Sequence, residues 1–141
     1  MQRRAFLSLG ALALGGVHGG PATADEGVVV IGHPGLRGLD VEALRRIYAG
    51  RMVELDGQPL RPVQLPAGHP LRRRFATAVL QQSDEDFIAY WTVRRYIGKG
   101  APPRELASVA EVVAHVQSTP GALGYIDSAD LRPGQQVLLR R

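Results

Sequence analysis

The residues whose types and spacing could do chemistry are Arg72, Arg73 and Arg74, which follow directly on the loop Pro66-Ala67-Gly68-His69-Pro70. The chemistry would be recognition of an anion. Pro70 suits the first position of a helix, where its missing N–H costs nothing. The loop would then end at a helix N-terminus, whose free backbone N–H groups favour negative charge. Three cations in the first turn oppose the helix dipole unless something negative lies close by. Gly68, His69, Leu71, Arg72 and Arg73 are therefore candidate ligand-binding residues. His33, at the end of an apolar run, is a sixth, because α/β sheets place ligands at strand ends. Each has a plain structural alternative: the arginines as a solvated helix face, His33 as a loop-lining side chain. Both readings stay open on the residues alone.

Catalytic sets are missing. His33, His69 and His115 have no ligand-type spacing with one another, and there is no Gly-x-Ser-x-Gly, phosphate-binding Walker loop or dinucleotide fingerprint. Ser83 and Ser108 are better explained as helix caps. Asp84, Glu85 and Asp86 are consecutive, so on a helix they point in different directions and do not form a metal site. The chain has no cysteine, which excludes disulfides, thiolate metal sites and a lipid-modified lipoprotein N-terminus. These residues predict no enzyme, no cofactor and no metal.

The N-terminus predicts export. Arg3-Arg4 precedes an apolar run, Ala5 to Val17, that is too short to span a membrane. Ala22-Thr23-Ala24 then offers a small-residue cleavage site. Arg3-Arg4-Ala5-Phe6-Leu7 also resembles the twin-arginine signal. Residues 1–24 read as a signal peptide and residues 25–141 as one exported, periplasmic domain. The formal net charge is +4, and loss of Arg3 and Arg4 lowers it to +2. A mildly basic exported domain makes nucleic acid an improbable partner despite the sequence pI of about 10.1.

The elements that must position the loop follow in order. Val28-Val29-Val30-Ile31 reads as a strand buried on both faces, of the kind found in parallel sheets. Asp40 caps a helix through Ala49 that Gly50 stops. Arg51 to Pro59 is irregular, with a turn at Asp56-Gly57. Leu60 to Leu65 is a short strand, and Leu71 to Gln81 a helix. Ser83 caps a third helix carrying Phe87, Ile88, Tyr90, Trp91, Val93 and Tyr96, whose aromatics are expected in the core. Ser108 opens a fourth through about Gln117, with Glu111 at capping-box spacing. Ala122 to Ile126 is a strand whose Gly124 predicts a close neighbour, and Gln136 to Leu139 is a final edge strand.

Taken together, several segments resemble one known family. They are Ile47-Tyr48-Ala49-Gly50, Asp56-Gly57-Gln58-Pro59-Leu60, Pro62-Val63, Arg72, Phe75, Trp91 and Thr119-Pro120-Gly121-Ala122-Leu123-Gly124-Tyr125-Ile126. The pattern is similar to the substrate-binding proteins of phosphate ABC transporters, of the periplasmic binding protein type II fold, and covers nearly all of residues 27–127. The resemblance implies an α/β fold: a single lobe with a small mixed sheet flanked by about four helices. Full-length members of that family have two lobes and clamp phosphate between them, and this chain matches one. Their second-lobe phosphate motif is an arginine, a short spacer, then Ser-Gly-Thr opening a helix, with a phenylalanine four residues later. With that phenylalanine on Phe75, His69-Pro70-Leu71 stands in place of Ser-Gly-Thr and Leu65 in place of the arginine. Two expectations result. One is a domain binding phosphate or another small anion, as a monomer or as a homodimer whose second copy replaces the missing lobe. The other is a non-catalytic interaction module that has lost its ligand and contacts an envelope or transporter protein.

Overall fold

The computed structural model describes residues 27–141, so the expected signal peptide lies outside the described residues. The chain runs β1 (Val28–Gly32), α1 (Val41–Tyr48), β2 (Glu54–Leu55), β3 (Gln58–Pro59), β4 (Arg61–Gln64), α2 (Pro70–Phe75), a π-helical segment (Ala76–Leu80), α3 (Asp84–Tyr96), β5 (Arg104–Glu105), α4 (Val109–Ser118), β6 (Ala122–Asp127), a 3₁₀ turn (Ser128–Asp130) and β7 (Gln136–Arg140). Five strands form a mixed sheet in the order β5-β4-β6-β1-β7, and β2 and β3 form a small hairpin. The fold is the α/β class expected, with four α-helices about a mixed sheet.

The strand β1 is buried along its whole length, as its β-branched run predicts. It is nevertheless antiparallel to both neighbours, β6 and β7. This corrects the parallel-sheet expectation. A continuous apolar run reports burial on both faces, and here helices on both faces supply that burial whatever the strand direction.

The layers follow from alternation along β6. Tyr125 faces the side of α1 and α2, where its ring stacks on Phe75 at 4.1 Å and Phe75 meets Tyr48 at 4.8 Å. Gly124, on the opposite face, lies under α4. A Cβ at position 124 would sit 2.8 Å from both Val112 and Val63, so the close neighbour predicted for this glycine is the α4 helix.

Local signals set the helix ends as expected. Asp40, Ser83 and Ser108 side chains accept backbone N–H bonds in the first turns of α1, α3 and α4. Glu111 completes the start of α4 by accepting from the Ala107 N–H. Asp56 and Gly57 both have positive φ, the backbone of a tight hairpin turn between β2 and β3. The helix expected over 71–81 is α-helical only to Phe75 and continues as a π-turn. In α3, Phe87 and Trp91 are core, but Tyr96, expected there, is 91% exposed. Residue 96 lies on the far side of the helix from Phe87 and Trp91, a phase that helix length alone did not reveal.

Candidate functional site

The loop after β4 is held from inside the fold. Tyr48 Oη donates to the Val63 carbonyl at 2.9 Å, and the Leu65 N–H donates to Tyr125 Oη at 3.0 Å. Burial raises the pKa of both phenols, and the backbone bond from Leu65 only partly offsets this for Tyr125. Both hydroxyls therefore act as neutral hydrogen-bonding groups that fix the end of β4. From there Pro66 to His69 turns into α2.

Two of the backbone donors a loop of this kind would offer to an anion, the Leu71 and His69 N–H groups, are used by the protein. Leu71 N–H donates to His69 Nδ1 at 3.1 Å, so His69 serves as the helix cap. His69 N–H donates to the Pro66 carbonyl, and Pro70 has no N–H to give. Gly68 has φ +90 and open space about it, so its glycine is required by backbone conformation alone.

The arginine triplet does not act as one patch. Successive helical residues point in different directions, and Arg72, Arg73 and Arg74 have three separate fates. Arg72 is 4% exposed. Its Nε donates to Asp84 Oδ1 at 2.8 Å and its Nη1 to the Leu65 carbonyl at 2.9 Å, with Glu105 3.6 Å from Nη1. Its guanidinium lies 5.9 Å from the centre of the Phe87 ring. Arg73 is exposed. Arg74 reaches Asp127 at 2.7 Å. The negative partners that the helix start demands are thus three of the chain's own carboxylates, Asp84, Glu105 and Asp127. Asp84 was expected only as one of three first-turn acids of α3; it is 6% exposed and the main partner of Arg72. The two residues are twelve apart and meet only because α3 folds back beside α2.

His33 is not part of this arrangement. Its N–H donates to the Ala122 carbonyl, at the start of β6. The parallel pairing of Arg61 with Ala122 and Pro62 with Leu123 carries β4 towards the other end of β6. The loop 66–69 and His33 therefore lie at opposite ends of the sheet. His33 lines a cleft of about 450 Å³ with Arg37, Asp56, Gln58 and Gly121. A second cavity, of about 240 Å³, lies beside the loop, where Gln64, Arg72, Trp91, Arg95 and Glu105 line it. Among the described residues no group of three or more His, Asp or Glu could hold a metal, and no helix is long and apolar enough to cross a membrane.

The chain superposes on an ABC-type phosphate transport receptor from Vibrio cholerae with a TM-score of 0.60 and 16% identity, over 79% of this chain and 45% of that one. A putative phosphate ABC transporter substrate-binding protein with bound phosphate from Clostridium perfringens gives 0.61 and 17%, over 79% and 44%. The chain has the fold of about half of a phosphate transport receptor. The sequence matches no protein-family model and no curated protein. This lobe thus spans less than half the length of either receptor.

The Arg74–Asp127 pair gives the lobe a testable pH dependence. Burial pushes the Asp127 carboxyl up, but the Arg74 bond and the Ala129 N–H outweigh it and hold the group below its ordinary value. The unfolded chain therefore takes up this proton before the folded one as pH falls. The stabilisation is complete above ~pH 5 and is lost as pH drops through the native value. Asp127→Asn should flatten the acid limb of stability against pH. Urea midpoints measured between ~pH 6 and ~pH 3 check this, and an unchanged acid limb would remove the assignment.

Proposed function

We propose that this chain is an exported, non-catalytic periplasmic domain that has the fold of a substrate-binding-protein lobe and works by contacting a protein partner. The observation that carries this reading is the inward turn of Arg72. Its guanidinium is buried and committed to Asp84 and the Leu65 carbonyl, in the loop where an anion would need it turned outward. The Leu71 N–H is likewise spent on His69. The missing N–H of Pro70 and the internal bonds of the His69 and Leu71 N–H groups support the same reading. A partner in the cell envelope, or a transporter component, fits an exported domain of this kind.

A second reading has one observation in its favour. Arg72 and Arg95 both line the cavity behind the loop, together with Gln64, so a small anion such as phosphate has two cations within reach there. Glu105 on the same wall opposes it.

Calorimetric titration of phosphate, with sulfate as control, separates the two. The expected result is no heat and no thermal shift at millimolar phosphate, because binding to the native state alone would stabilise it by mass action. Saturable binding that is lost in Arg95→Ala would overturn the interaction reading in favour of the second. The Arg95 side chain is exposed, so its removal leaves the fold intact. Envelope extract that yields no specific partner would also count against the first reading.

A further inference from the structure

The described residues leave five large hydrophobic side chains exposed, and four of them belong to α3 and its C-cap: Ile88, Val93, Tyr96 and Ile97. The helix has its own core face, formed by Asp84, Phe87 and Trp91. Opposite that face run Glu85, Ala89, Thr92 and Tyr96, all exposed. Their spacing of four, three and four residues is that of a helix–helix seam. Val93 and Ile88, which are 60% and 41% exposed, flank it. Ile88, Val93, Tyr96 and Ile97 thus gather exposed apolar side chains on and beside this outer face of one helix, which marks it as a candidate interaction surface.

The charges along the stripe say what covers it. Its N-terminal end is acidic, with Glu85 and Asp86. Its C-terminal end is basic, with Arg95 exposed and Lys99 tied to the helix end by its N–H to the Arg94 carbonyl. Arg94 takes no part, because it turns inward over the Tyr90 and Trp91 rings. A surface that is acidic at one end, apolar in the middle and basic at the other is complementary to itself when one copy is reversed. That is the requirement of a two-fold, isologous interface.

We infer that two copies of this chain associate through α3, packed antiparallel about a two-fold axis near Thr92. This deepens the interaction reading by naming the partner as a second copy, and it rests on that reading's claim that the chain works by contact. In this register Glu85 faces Lys99 of the second copy, Ile88 faces Tyr96, and Thr92 faces its own counterpart. A parallel pair would instead place like charges together. A lipid surface is a poorer fit, since the helices that lie on membranes carry Lys and Arg along the polar face rather than an acidic end. Arg95 is also on the rim of the cavity beside Arg72, so the second copy would wall that cavity. A 13-residue helix is ~20 Å long. Such a pair buries less than the ~800 Å² per partner of a standard stable interface, so the association is weak and concentration-dependent.

Sedimentation velocity on the chain from Asp25, and on the full chain, tests this from ~10 μM to ~1 mM protein. Among the described residues every buried core side chain lies within 28–126, so the chain from Asp25 keeps all of them. The expected result is a mass rising towards twice the monomer with concentration. Val93→Glu with Tyr96→Glu should hold it at the monomer while the melting temperature stays within error, because both side chains are exposed. Glu85→Lys should weaken the dimer at least several-fold, and adding Lys99→Glu should restore it. The chain has no cysteine, so Thr92→Cys introduces a single thiol that should cross-link two copies under mild oxidation, whereas Glu54→Cys should not. A monomer at every concentration would overturn the inference, as would a dimer indifferent to the Val93 and Tyr96 changes. Failure of Lys99→Glu to rescue Glu85→Lys would overturn the antiparallel register. A monomer that still captures a specific envelope protein would remove this inference and leave the interaction reading standing.

Discussion

Arg72→Ala is expected to lower the unfolding free energy by about 3–5 kcal/mol, the cost of breaking a buried ion pair by removing one partner. Both side chains of the Arg72–Asp84 pair are about 5% exposed, so solvent screening does little to soften the loss. The variant strands a buried carboxylate and leaves the Leu65 carbonyl without its donor. Arg72→Lys should not rescue it. The native guanidinium bonds two acceptors through different nitrogens of one rigid plane, and a single ammonium on a flexible stem lacks that fork. Replacing both partners, Arg72→Met with Asp84→Leu, should recover most of the stability, because no unpaired charge then remains. Urea unfolding of the four proteins checks the series. A single variant as stable as the parent would show that the pair contributes nothing. The result also bears on function. Because Arg72 holds the fold together, loss of binding in Arg72→Ala does not by itself mark a ligand contact.

Gly121→Ala is expected to cost about 3 kcal/mol, from two sources that act together. Gly121 has φ +80, which an alanine adopts only under strain. A Cβ there would also lie 2.0 Å from the Pro59 carbonyl oxygen. That atom is backbone, so it cannot swing aside as a side chain would, and forced contacts of this type cost ~1–3 kcal/mol. The Gly121 carbonyl accepts from the Arg61 N–H at 2.8 Å, so movement at the turn is passed directly to the β4–β6 pairing. Gly134→Ala is the control. Its φ is +90 but nothing lies within 4 Å, so only the conformational cost of ~1–2 kcal/mol applies. Thermal unfolding should show a fall of roughly 10 °C for Gly121→Ala and well under that for Gly134→Ala. Equal falls would mean that the contact with Pro59 is not decisive.

The segments that carry the resemblance to phosphate receptors turn out to be packing devices. In Ile47-Tyr48-Ala49-Gly50, the Trp91 indole N–H donates to the Tyr48 carbonyl and Tyr90 Oη to that of Ala49. A Cβ on Gly50 would meet the Trp91 ring at 2.6 Å. In Thr119-Pro120-Gly121-Ala122-Leu123-Gly124-Tyr125, the two glycines answer to Pro59 and to α4. Roles of this kind belong to the fold, and at 16–17% identity the likeness to the phosphate receptors speaks for the fold rather than for phosphate.

What the sequence by itself determined is local or one-dimensional. Asp40, Ser83 and Ser108 cap their helices because a short side chain satisfies an N–H three residues on, which needs no distant partner. The burial of β1, the Asp56-Gly57 turn and a close approach at Gly124 were legible from residue type along the chain, though not which elements supply the burial and the approach. The tertiary structure decided the rest. Strand order separated His33 from the Gly68–Arg72 loop, and no residue near His33 encodes the direction of β4. The fold-back of α3 gave Arg72 its carboxylate and left Tyr96 in solvent. Charge type can be read along a chain, but whether a guanidinium meets a ligand or the protein's own Asp84 depends on which helix lies beside it. That choice is made by packing across twelve or more residues of separation.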